Sequence, residues 1–373
     1  MASQDLLPAL LADIRARRPE FIAAQQIPAD IIDGFKRLGV YRAMVAKRFG
    51  GEEWTPAEFC RLIEAISEAD GSAGWVASFG SAACYLAALP EATLRKVYSK
   101  GPDVVFAGGL FPLQEARRVA DGFVLNGMWK FCSGSTGASL IGAGISVKND
   151  STDGMPRVAV MAAEQVTIRR NWDVIGLQGT GSHDIIVKDV IVPEEWTLIR
   201  GAPATIDAAI YRYPSLSFAA QVLAIVGVGV ARSALDDVIA MAGGRASITG
   251  APVMADRGYV QLAVARAEAM LRSARSFFYE ATEALWAEVQ SGAPSQKTVT
   301  LMRLASTHAA NTGADVARIA CSLAGTTAIY TQHNLARTMC DSLVVAQHAF
   351  LSEGTLQSAG RLLLGLPAQP GFP

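Results

Sequence analysis

RRVADGFVLNGMWKF, residues 117–131, decides the fold. Apolar and polar residues alternate along it, and Asp121-Gly122 and Asn126-Gly127 interrupt it. Such dipeptides make tight turns because Asn, Asp and Gly tolerate positive φ, so the stretch reads as short antiparallel strands joined by turns. The same texture extends outward to VVFAGGLF (104–111), PRVAVMAA (156–163) and HDIIVKDVIV (183–192), the last closed by Pro193. Residues 104–205 are therefore expected to form an antiparallel β domain, a barrel or sandwich. On either side the period changes. Phe59, Leu62, Ile63 and Ile66 recur at helical spacing, punctuated by Gly50-Gly51 and Pro56, which makes residues 1–103 a helical domain. After the linker-like GAPATID (201–207), four Ala- and Leu-rich segments at 215–241, 254–290, 295–323 and 337–364 predict a four-helix bundle over residues 206–373. The class is α+β.

At 373 residues and 51% hydrophobic residues, the chain exceeds what one core encloses. Lys plus Arg number 33 and Asp plus Glu 34, so no net field draws nucleic acid, a membrane surface or a polyanion. The first 21 residues alternate charge with apolar groups and read as an amphipathic helix, not a signal peptide. The apolar run 218–231 reads as too short to span a bilayer, so no membrane association and a cytoplasmic location are expected. Cys60, Cys84, Cys132, Cys321 and Cys340 are scattered without a C-x-x-C pair, as buried reduced thiols are. The four histidines lack metal-ligand spacing, so no metal is expected. Gly227-Val228-Gly229-Val230-Ala231 follows a helical run without a preceding strand, which makes it a helix-packing surface and not a dinucleotide fingerprint. Walker and G-x-S-x-G motifs are absent.

Several stretches, in order, carry a resemblance. Glu68-Ala69-Asp70-Gly71-Ser72-Ala73-Gly74-Trp75 is similar to an E-x-D-x-S-x-G-W segment, and Trp172 to Asp184 resembles a W-D-x-x-G-x-x-G-T-G-S-x-D loop. Phe123 to Gly134 looks like a strand-turn-strand that lies along a flavin. Ala346-Gln347-His348 and Ala359 to Gly365 are similar to Q-H and A-G-R-x-L-L-G segments. Together with the helical, β, four-helix order, these resemble the monooxygenase branch of the acyl-CoA dehydrogenase superfamily over nearly the whole chain. The dehydrogenase T-E-P-x-x-G-S-D stretch is replaced by Gly108 to Ala116, and Glu353-Gly354-Thr355 only echoes the dehydrogenase base motif.

The resemblance implies the oxygenase component of a two-component, group D type monooxygenase. It would use reduced FAD or FMN and dioxygen to hydroxylate or epoxidise a small aromatic substrate. A separate NAD(P)H flavin reductase and a homotetramer are implied with it. A flavin-dependent dehydrogenase-type desaturase is the competing reading, and a noncatalytic helical assembly protein a third. Flavin contacts implied by the resemblance are Trp129, Phe131, Ser133, Gly134, Thr180 and Ser182, with Thr326 and Tyr330 reaching the cofactor of a neighbouring subunit. Ser133 would present its hydroxyl to the flavin N5 edge. His348, read as lying in an apolar helix, is the candidate catalytic base or acid, since an imidazole suits proton transfer near neutral pH. Trp75, Phe79, Tyr85 and Phe350 would line a pocket for a flat, weakly polar aromatic such as an indole. An arginine found before the Q-H segment in that branch is missing, because Met339-Cys340-Asp341 stands there.

Overall fold

The computed structural model describes residues 3–148, 150, 155–243 and 252–368. The N-terminal helices are α1 (Ser3–Ala24), α2 (Ala29–Leu38), α3 (Pro56–Ala69), α4 (Gly71–Ser78), α5 (Ala83–Leu86) and α6 (Glu91–Val97). Helix α3 starts where Pro56 fixes φ and Thr55 forms a capping box. The Thr55 Oγ1 accepts from the Glu58 N–H at 3.2 Å, and the Glu58 carboxylate accepts from the Thr55 N–H at 2.8 Å. Phe59, Ile63 and Ile66 are fully buried on its inner face. Asp70 ends α3 and starts α4, its Oδ1 accepting from the Ala73 N–H at 2.9 Å.

The β domain comprises β1 (Phe106–Glu115), β2 (Arg117–Val119), β3 (Gly122–Trp129), β4 (Leu140–Ser146), β5 (Arg157–Ala162), β6 (Thr167–Arg169), β7 (Asp184–Val192) and β8 (Thr197–Ile199). They form two four-stranded sheets, ordered β1-β4-β5-β8 and β2-β3-β7-β6. Phe123, Leu125, Trp129, Ile141, Ile145, Met161 and Ile185 fill the space between them, so the domain is a sandwich. Two expectations are corrected here. The domain is not wholly antiparallel, since β1 pairs parallel with β4. Asn126-Gly127 is not a turn either: β3 runs through it, with a register shift against β7 between Leu125 and Gly127. The Asn126 side chain instead donates to Asp189 Oδ1 and accepts from the Asp189 N–H, each at 2.9 Å, so cross-strand pairing overrides the local turn preference. The hairpin turn lies at Ala120-Asp121, where Val119 pairs with Gly122.

The C-terminal helices are α7 (Ala209–Arg212), α8 (Ser215–Ala242), α9 (Gly258–Ser291), α10 (Gln296–Ala324), α11 (Asn334–Ala346) and α12 (Glu353–Leu363). Helix α8 is the axis of the molecule, packed against α3 on one side and α10 on the other. Contrary to the sequence reading, α8 is long and apolar enough to cross a membrane by length and composition. Its most apolar window, mean hydropathy 1.7, is nevertheless 89% buried inside the protein, as a core helix is. Backbones touch where α8 crosses α10: a Cβ at Gly313 would sit 2.7 Å from the Gly227 carbonyl oxygen. The segment expected as one helix over 337–364 is two. It breaks at Gln347-His348, because the His348 Nδ1 accepts from the Phe350 N–H at 3.3 Å and caps a new short turn.

Candidate active site

Three hydroxyls and an indole meet where the β domain faces α4. Ser133 Oγ lies 2.6 Å from Ser182 Oγ, which lies 2.6 Å from Thr180 Oγ1. Thr180 donates to the Leu177 carbonyl at 2.9 Å, and the Trp75 Nε1–H donates to Ser133 Oγ at 3.3 Å. A hydroxyl has one proton and two lone pairs, which fixes the direction of the chain. Thr180 has given its proton to Leu177, so it accepts from Ser182, and Ser182 accepts from Ser133. Ser133 has therefore spent its proton, and with Trp75 on one lone pair it keeps the other to accept from a ligand. All three hydroxyl residues and Trp75 are buried.

The loop carrying Thr180 and Ser182 is pinned from several directions. The Leu177 N–H donates to Asp341 Oδ1 of α11 at 2.5 Å, and the Gly179 N–H to Ser72 Oγ of α4 at 3.0 Å. Arg337 of α11 pairs with Asp70 at the start of α4. Burial pushes the Asp341 carboxyl up to about 6, with the nearby Arg337 guanidinium pulling the other way. His183 Nδ1 accepts from the Asn171 and Trp172 N–H groups, each at 3.1 Å, which holds the loop entry. On the far side of the hydroxyls, Gly134 has φ of 73° and donates its N–H to the Thr180 carbonyl at 2.8 Å, a left-handed turn that ties the two strands' ends together.

A second line of groups leads away from Trp75. The His348 ring is edge-on to Trp75 at 5.8 Å and to Phe350 at 5.1 Å. Arg200, just after β8, and Arg303 of α10 both lie over the Phe350 ring, 4.7 and 5.5 Å from its centre. Burial raises the Tyr85 phenol above its ordinary value, with the nearby Arg200 guanidinium pulling the other way. Burial, and then the positive charges of Arg200 and Arg303, push the His348 imidazole down to about 4. It is neutral at physiological pH, and because Nδ1 accepts from the Phe350 N–H, the ring proton sits on Nε2.

The chain matches the acyl-CoA dehydrogenase N-terminal domain over residues 10–99 and the C-terminal domain over residues 221–353. It is 52% identical to indole-3-acetate monooxygenase of Pseudomonas putida, over 100% of this chain and 96% of the relative. The chain belongs to the flavin-dependent monooxygenases of the acyl-CoA dehydrogenase fold. It is also 31% identical to the oxygenase component of the FADH(2)-dependent resorcinol hydroxylase of Rhizobium sp. (strain MTP-10005), covering 67% of this chain and 65% of the relative. The crystal structure of 3-HSA hydroxylase from Rhodococcus sp. RHA1 shares the fold, with a TM-score of 0.91 at 24% identity over 99% and 98% of the two chains.

Within this monooxygenase, Ser133, Thr180, Ser182, Trp75, His348 and Phe350 come together as read from the sequence, with Gly134 beside them. Phe131 stands at the edge of the group, 66% exposed at φ of 59°, its ring edge-on to Trp172 at 6.2 Å. Phe79 and Tyr85 are half-buried on the chain that follows α4. Trp129 does not join them. It is fully buried between the sheets, its Nε1–H donating to the Gly144 carbonyl at 2.7 Å, because it is the last residue of β3 and faces the sandwich core, whereas Phe131 lies beyond the strand at φ of 59°. Thr326 and Tyr330 are exposed on the turn after α10, and no contact among the described residues links them to Ser133. His348 sits at a helix break and not within a helix. Glu353 is an exposed first-turn residue of α12, outside the hydroxyl group. Sequence reasoning missed Arg200 and Arg303, which belong to no motif, and Asp341, whose partner is a backbone N–H 164 residues away.

Proposed function

We propose that this monooxygenase is the oxygenase component of a two-component system acting on a small indole-like aromatic, with indole-3-acetate the first substrate to try. It would take reduced FAD or FMN from a separate NAD(P)H flavin reductase. The observation that carries the reading is the directed hydroxyl chain ending at Ser133. A reduced flavin ring has an N–H at its N5 edge where the oxidised ring has a lone pair, so an outward-facing acceptor suits the reduced form. Phe131 offers an exposed flat face beside it. When bound, the reduced flavin supplies the activated oxygen; the chain supplies position, dryness and hydrogen bonds.

Trp75, Phe79, Tyr85 and Phe350 would hold the aromatic ring. Trp75 keeps Ser133 in place through its N–H and presents its ring to His348. His348 holds a proton on Nε2 and donates a hydrogen bond to oxygen in the pocket; it is too weakly basic to carry a positive charge in the resting site. The desaturase reading needs a carboxylate base near the flavin edge, and exposed Glu353 is poorly placed for it. Exposed Thr326 and Tyr330 would reach the cofactor of a neighbouring subunit in a homotetramer, and the five free thiols suit a cytoplasmic location.

The test is to mix the protein anaerobically with reduced FMN or FAD and indole-3-acetate and then admit oxygen. The expected product is heavier by one oxygen atom, formed in proportion to reduced flavin, with NADH consumed only when a reductase is added. Quantitative conversion of reduced flavin to hydrogen peroxide, with the aromatic unchanged, would refute the proposal. Light scattering should report a tetramer at micromolar concentration.

A further inference from the structure

The two arginines over Phe350 are unlike the other cations of the protein. They come from separate parts of the chain, Arg200 from the end of β8 and Arg303 from the middle of α10, yet both guanidinium groups face one ring. Arg303 is 3% exposed and Arg200 half-buried. Both sites are held by backbone. The Arg200 N–H donates to the Pro156 carbonyl at 3.0 Å, and Arg303 Nη2 donates to the Phe350 carbonyl at 3.4 Å. The charged groups that act on His348 are these two arginines, and each acts in the same direction. Burial also lowers the Arg303 guanidinium to about 10, which leaves it charged at neutral pH. The far end of the aromatic line is thus a buried, positively charged corner, with a phenol donor from Tyr85 beside it.

Resting on the proposed monooxygenase function, we propose that Arg200 and Arg303 form a carboxylate clamp that selects aromatic acids with a short acidic arm. The ring would lie among Trp75, His348 and Phe350, and the carboxylate would reach the guanidinium pair. The sequence alone pointed to a weakly polar aromatic; this geometry favours an anionic one. Guanidinium groups match carboxylates through paired N–H donors, and such charge-assisted hydrogen bonds are the strong ones. The clamp would stand in for the arginine missing before Gln347-His348. Positive charge arrives from β8 and α10 instead.

The discriminating experiment compares indole-3-acetate with 3-methylindole, which has the same ring and no carboxylate, as substrates of the full-length protein supplied with reduced flavin. For the native protein, kcat/KM should favour the acid by at least about 100-fold. In Arg200→Gln and Arg303→Met that preference should fall by roughly 10- to 100-fold, the loss of one charge-assisted contact, with the change lying in KM for the acid. Arg303→Lys, which keeps the charge but not the fork, should fall in between. Isothermal titration of indole-3-acetate into each folded variant, checked by circular dichroism, should show the same order. If half-buried Arg200→Gln folds and the preference for the acid is unchanged, the clamp is wrong. If the native protein oxygenates neither compound, the functional reading fails and the clamp with it. If it oxygenates 3-methylindole as well as the acid, only the clamp is overturned.

Discussion

Replacing Ser182 by alanine removes the middle hydroxyl of the chain that runs from Ser133 to Leu177. Two contacts of 2.6 Å disappear, but their consequences differ. Thr180 still donates to the Leu177 carbonyl and loses only an incoming bond. Ser133 loses its acceptor, so its proton turns toward the ligand edge and the residue becomes a donor there. A neutral hydrogen bond contributes about 0.5–1.5 kcal/mol, and meeting an N–H with a donor in place of an acceptor replaces that gain by a loss of similar size. The preference for reduced over oxidised flavin should therefore fall by about 1–3 kcal/mol, roughly 5- to 150-fold in the ratio of dissociation constants. Stability should drop by about 1–2 kcal/mol, since two bonds go and one partner is stranded. Anaerobic titration calorimetry with oxidised and dithionite-reduced FMN and FAD reads the ratio, and thermal melting reads the stability. A folded Ser182→Ala protein whose ratio stays within about twofold of the parent, below the smallest single-bond effect, would refute the directed chain.

His348→Ala should lower product formation by roughly 10²–10⁴-fold while flavin affinity changes little, with reduced flavin lost as hydrogen peroxide; a destabilised variant whose folded fraction stays coupled would make His348 a packing residue. Because the folded His348 imidazole is held at about 4, below the usual value near 6.5, the unfolded chain binds more protons between those pH values, so its contribution to stability is present above pH 6.5 and lost as pH falls toward 4. His348→Gln should therefore gain stability relative to the parent on acidification across that window, measured by paired denaturant melts; Asp341, which acts in the opposite sense, is common to both proteins and cancels. Gly313→Ala should destabilise by about 1–2 kcal/mol, because the backbone clash with Gly227 outweighs the gain in helix propensity. Gly360→Ala in α12, with nothing within 4 Å, should stabilise by about 0.5–1 kcal/mol in the same melts.

Periodicity revealed the helical, β, helical order, because burial on one face imposes a repeat of 2 or 3.6 wherever an element has a single partner. It failed where a local signal met a tertiary one. Asn126-Gly127 carries the strongest local turn signal in the β domain, and pairing with β7 overrode it. The run 337–364 kept its helical pattern across a break that one side chain, His348, creates by capping backbone. Trp129 shows the limit of a motif, since quoting a strand whole does not say which face each residue takes. Within the site, the groups that touch Ser133 were legible because they lie in quoted stretches. Arg200, Arg303 and Asp341 were not, because each meets its partners only after distant segments pack.

The bond between Leu177 and Asp341, and the pairing of Asp70 with Arg337, also set a clock. They join residues 164 and 267 positions apart, and in each pair the later member lies in α11. At about 5–20 residues per second, a ribosome needs on the order of 10–30 s after delivering the Gly-rich loop before it delivers Asp341. For that interval the nascent chain carries the sequence of its sandwich and its hydroxyls but not the Asp341 carboxylate, one of the groups that hold their loop. An incomplete chain thus lacks one of the pins on the loop that carries Thr180 and Ser182, and keeps only those whose partners precede α11.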